Sequence, residues 1–109
     1  MSFAAETENI VNLLINVEYV NACEQYGCTY KCMQEMLEVL SEEVKEVYDE
    51  LELAQNEVMK TQFLTKSYNT ETLLKLEKYT RNAIKGLAQV GAVLMKIKNT
   101  LEGKKDDVL

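Results

Sequence analysis

The sequence predicts an all-α protein: a long antiparallel helical hairpin plus an N-terminal helix, assembling into a helical bundle. Three observations carry this. The chain of 109 residues has no proline and only Gly27, Gly86, Gly91 and Gly103 as glycines, so every long stretch is free to be helical. Apolar residues recur at steps of four and three along two stretches of about 30 residues, the spacing that keeps one side of a helix buried. The breaker points are few: Gly27, the polar run Thr65 to Thr70, and the tail from Gly103. A chain of this length makes one domain, 1–109, and buries roughly 65% of its unfolded surface.

The first helix is expected over 5–26. Ile10, Leu13, Leu14, Val17 and Val20 form its core side, and Glu6 and Glu8 suit its positive N-terminal end. Gly27 is the stop at C′, and Thr29 is placed to cap the second helix. That helix is expected over 30–63, with Met36, Leu40, Val44, Val47, Leu51, Ala54 and Val58 as its stripe. A turn over Thr65 to Thr70 leads to a third helix over 71–101, with Asn69 or Thr70 as N-cap. Its stripe is Leu76, Thr80, Ala83, Leu87, Val90, Leu94, Ile97 and Leu101. Residues 103–109 read as a flexible tail. The hairpin is about 45 Å long at 1.5 Å per residue, and the shorter first helix cannot cover both stripes. That favours a homo-oligomer, a dimer or a larger bundle.

The net charge is −6, with no histidine and no long run of Lys and Arg, so direct nucleic-acid binding is not expected. An acidic protein suits divalent cations or a basic groove on a partner. No basic region followed by an apolar core opens the chain, and no apolar run is long enough to span a bilayer, so the expected location is cytoplasmic. Cys23, Cys28 and Cys32 are spaced C-x4-C-x3-C, which is not a common zinc pattern. They read as small buried thiols in a reducing compartment, with a metal or redox role as the alternative.

The chemistry-bearing stretch is Gln34 to Leu51. Glu43, Glu46 and Glu50 stand at i, i+3 and i+7, along one edge of the apolar stripe. Like charges this close repel unless a metal ion, a neighbouring cation or water faces them. The segment resembles that of the MazG-like, all-α nucleoside triphosphate pyrophosphohydrolases, in particular the small phage-type members, whose pattern is H-E-G-Y-A-V-x-x-E-E-x-x-E-L-W-D-E. Glu35, Val39, Glu42, Glu43, Glu46, Tyr48, Asp49 and Glu50 match it in register, with Gln34 in place of the histidine. A second family segment, E-A-I-Q-V-A-A-M-A-I-R, is similar to Gly86 to Lys96.

The resemblance implies that an E-x-x-E pair and an E-x-x-D pair hold Mg²⁺ against the substrate's phosphates. Mg²⁺ suits this because it takes hard oxygen ligands in octahedral geometry and activates water. The first pair falls on Glu43 and Glu46, the second on Gly86 and Gln89, so half the anionic shell is missing. A turn near residues 65 and 66 makes facing residue numbers sum to about 131, which sets Glu46 opposite Lys85 and Glu50 opposite Arg81 as charge pairs in place of the metal. Tyr48 and Tyr79, with Tyr26 and Tyr30, are candidates to stack on a base, although amphipathic tyrosines at core edges are ordinary. Met33, Met36, Met59 and Met95 read as core filler. The absence of histidine excludes a Ser/His/Asp or Cys/His set, and no glycine-rich phosphate loop is present.

Three functions are compatible with these residues. The first is a MazG-like phage-related protein that has lost catalysis and acts as an oligomeric regulatory or binding module, holding a nucleotide-like ligand. The second is an active Mg²⁺-dependent pyrophosphohydrolase using Glu43, Glu46, Glu50 and further acids such as Glu42 or Glu77. The third is a small acidic inhibitor that occupies a basic groove of a host protein, in the host cytoplasm.

Overall fold

The computed structural model describes the backbone of residues 2–64 and 70–108, and the side chains of 4–60 and 70–103. Three helices make up nearly all of it: α1 (Ser2–Tyr26), α2 (Met33–Leu64) and α3 (Thr70–Val108). No strand occurs among the described residues, so the all-α expectation holds. Thr70 opens α3, and Lys75 pairs with Glu71 across its first turn at 3.5 Å. The rest of the expected turn, Asn69 included, lies outside the described residues. The expected tail from 103 is a correction: α3 continues through Gly103 to Val108. One glycine costs about 1 kcal/mol in a helix, which is too little to end a helix of this length without a proline.

Gly27 ends α1 as expected. Its φ is +84°, and its N–H donates to the Cys23 carbonyl at 2.9 Å, the αL cap. The start of α2 differs from expectation. Thr29 is not its cap; the helix begins at Met33, and the Met36 N–H donates to the Cys32 carbonyl at 3.2 Å. The reason lies in α3. The Tyr30 N–H donates to Thr100 Oγ1 at 2.9 Å, and Asn99 Nδ2 donates to the Cys28 carbonyl at 3.0 Å. Those bonds hold the connector in a non-helical path, and α2 starts once it is past them. The Lys31 N–H then donates to Glu35 Oε2 at 3.4 Å, a reach-back over the new helix end.

The chain divides into two units, one of Met1–Glu42 with Ala88–Leu109 and one of Glu43–Leu87. In the first, Tyr30, Met36 and Val93 form a small core with Val39, Leu40 and Ile97 against it, and Met36 is 1% exposed. Thr100 Oγ1 also donates to the Lys96 carbonyl at 2.8 Å, so one buried hydroxyl serves both the connector and its own helix. The Lys96 ammonium sits 4.2 Å from the centre of the Tyr30 ring.

The inward side of α1 is not the one the stripe suggests. Ile15 touches Gly91 so closely that a Cβ there would lie 2.7 Å from its Cδ1. Tyr19 and Ala22 share that half-buried side, whereas Ile10, Leu13, Leu14, Val17 and Val20 are 42–61% exposed. Helix α3 repeats the inversion: Ala88, Ala92 and Val93 are buried, while Leu94 and Leu101 are exposed. Small residues face in and let the helices approach; the large ones face out.

In the second unit, the α2 and α3 segments meet where Val47 covers Gly86. Val47 and Ala83 are its buried apolar side chains, and Glu57 is buried with them at 8% exposure. Leu51 and Val58, expected on the buried stripe, are exposed, and the inward line runs instead through Val47, Glu50, Ala54 and Glu57. Thr80 and Leu87 of the expected α3 stripe are exposed as well.

Candidate functional site

The α2 carboxylates are carried by unbroken helix from Met33 to Leu64, which fixes Glu43, Glu46 and Glu50 along one edge. Glu46 is exposed; Glu43 and Glu50 are half-buried. Glu50 Oε2 is buried with no hydrogen-bond partner among the described residues. Burying a carboxylate oxygen without a partner is unfavourable, so the inward turn of this side chain follows from helix register rather than from a bond it makes.

The register across the hairpin is set by the contact of Val47 with the backbone at Gly86. Facing residue numbers therefore sum to 133, not 131. This puts Leu87 level with Glu46, Ala83 level with Glu50, and Lys85 level with Tyr48. Lys75–Glu71 and Lys98–Glu102 form ion pairs, each one turn apart within α3. The expected pairs, Glu46 with Lys85 and Glu50 with Arg81, do not form among the described residues, and both of those cations are exposed.

Gly86 is where the expected metal site meets the packing. A side chain there would begin with a Cβ 2.8 Å from Val47 Cγ2, closer than such atoms come. A carboxylate at this position is excluded by the neighbouring helix, so the glycine serves contact. The residues present do not fit a Mg²⁺ cradle of the family's kind. Among the described residues no group of three or more Asp, Glu, Cys or His side chains comes together to hold a metal ion. Glu43, Glu46 and Glu50 share a helix edge but do not converge.

The tyrosines are placed singly. Tyr48 is 69% exposed and Tyr79 half-buried. In the observed register they lie about 9 Å apart along the hairpin at 1.5 Å per residue, too far to sandwich one base. Tyr30 is buried in the core under Lys96, and Tyr26 is exposed at the end of α1. Of the methionines read as core filler, Met36 alone is fully buried; Met33 and Met59 are exposed.

The cysteines depart from expectation. Cys23 and Cys28 form a disulfide around the Gly27 turn, with Cα atoms 4.5 Å apart, and Cys32 is free and exposed. The C-x4-C spacing across a helix-ending glycine is the sequence signal that could have raised it, because the αL cap folds the chain back on the last turn. The Lys96–Tyr30–Thr100 set leaves no such signal, since its members lie some 70 residues apart and only the packed fold brings them together.

No family model, curated protein or solved structure matches this chain. Among the described residues no helix is long and apolar enough to cross a membrane.

Proposed function

We propose that this chain is a MazG-like helical protein without Mg²⁺-dependent pyrophosphohydrolase activity, which acts through association of its helix faces as a regulatory or binding module. The observation that carries the reading is Gly86 under Val47: the position that would supply the second metal pair's first carboxylate is filled by a helix contact. Its partner position, Gln89, offers a neutral amide oxygen. Without that shell the α2 acids are not gathered around one ion, and Glu46 is turned to solvent. The exposed apolar residues of α1 supply the second support, since monomers seldom leave a contiguous apolar face uncovered. A nucleotide-like ligand is not favoured by any paired tyrosine. The disulfide weighs against the cytoplasmic location that composition suggests, because cytosolic disulfides are rare.

The test is release of pyrophosphate from a panel of nucleoside triphosphates with Mg²⁺ or Mn²⁺. The expected result is no release above background. Release that Glu46→Gln abolishes overturns the reading in favour of an active enzyme.

A further inference from the structure

We propose that the outward side of α1 is a docking surface for α3 of a second copy of this chain. The inference rests on the association part of the reading above and names its partner and register.

Helix α1 is apolar on two opposite sides. Ile15, Tyr19 and Ala22 face its own α3; Ile10, Leu13, Val17 and Val20 follow the opposite side at steps of three and four, and all four are exposed. A helix apolar all round belongs between two layers, and the structure supplies one. Glu6 and Glu24 continue the outward line at its two ends, and α1 carries no Lys or Arg at all. The complement must therefore be apolar in the middle and basic at its ends.

Helix α3 of this chain has that pattern on an exposed line. Leu94 and Lys98 are exposed, and earlier on the same unbroken helix Ile84 and Leu87 are exposed beside Arg81. One antiparallel register satisfies every position: Glu6 meets Lys98, Ile10 meets Leu94, Val17 meets Leu87, Val20 meets Ile84, and Glu24 comes beside Arg81. Both lines step by fours and threes, so the match holds along the contact. Within one copy the α3 line is out of reach, because α1 is held by its other side through Ile15 and Gly91. A two-fold arrangement makes the contact twice, α1 of each copy on α3 of the other, as an isologous interface requires.

The experiment is sedimentation velocity on the full chain over the micromolar range, with helix content checked by circular dichroism. The parent is expected to dimerise. Ile10→Asp and Leu94→Lys each sit at exposed positions and should raise the dimer dissociation constant at least tenfold with helix content unchanged. The double variant should recover a large part of that loss, because the introduced carboxylate of one copy then meets the introduced ammonium of the other. Leu37→Asp, an equally exposed change on α2, should leave the dimer as it is. A monomeric parent, a single variant that dimerises like the parent, a double variant without recovery, or equal weakening by Leu37→Asp each overturn the proposal. Failure of the non-enzyme reading would show instead as pyrophosphate release, so the two outcomes are separate.

Discussion

In the unit of Met1–Glu42 and Ala88–Leu109, the connector is tied at every step: a disulfide at Cys23–Cys28, Asn99 on the Cys28 carbonyl, Thr100 on the Tyr30 amide, and Lys96 over the Tyr30 ring. In the unit of Glu43–Leu87, a valine on a glycine sets the register, and the inward line of α2 gives two of its positions to Glu50 and Glu57. The first unit is specified by directional bonds between residues far apart in sequence. The second is specified by shape at one close approach. The difference bears on the acidic edge of α2: the contact that aligns the second unit occupies the place where the second metal pair of the resembled family would begin.

The largest effect is expected in the first unit's core. Met36→Ala should lower stability by about 2–5 kcal/mol, because Met36 is 1% exposed and its removal leaves a cavity. Urea unfolding reads it, and Leu51→Ala in the second unit, at 51% exposure, should cost under half as much. Shape specification predicts a coupled pair next. Gly86→Ala should destabilise by about 1–3 kcal/mol through overpacking on Val47, and adding Val47→Ala should make the double variant less unstable than the two single losses together. Additive losses would mean that the contact does not set the register.

Directional bonding predicts a loss of about 1–3 kcal/mol for Thr100→Val, which keeps the shape but leaves the Tyr30 N–H buried without its acceptor. Thr80→Val, at an exposed position in the second unit, removes only a bond to its own helix at Leu76 and should change stability by less than about 0.5 kcal/mol. The smallest effect sharpens the register itself. Lys85→Glu should fall within about 0.5 kcal/mol of the parent, since Lys85 is exposed and stands level with Tyr48 rather than Glu46. A salt-dependent loss on that change would restore the register in which Lys85 faces Glu46.

The helices are legible in the sequence because the signals for them are local: the missing prolines, the Gly27 stop, and Glu71 opening the third helix. The sidedness of α1 is not. Periodicity says which residues share a side, not which side meets the rest of the same chain. Ile15 faces in because Gly91 offers it a close seat, and that pairing is visible only once α1 and α3 are adjacent. The two-residue difference in register has a related cause. The turn alone suggests one alignment, whereas the fit of Val47 on Gly86 fixes another. The sequence shows Gly86 and Gln89 where the resembled family has acids, but the use of the glycine is plain only from the side chain that faces it.

The central claim is that helix packing at Gly86 has taken the place of metal binding on α2. The most direct measurement is a titration of the full chain with Mn²⁺, followed by the electron paramagnetic resonance of the free hexaaquo ion. The account predicts that the free-ion signal grows as it does in buffer, with no saturable site in the micromolar range, and that Glu46→Gln changes nothing. One equivalent of Mn²⁺ withdrawn from the free signal at micromolar concentration, and released by Glu46→Gln, would contradict it.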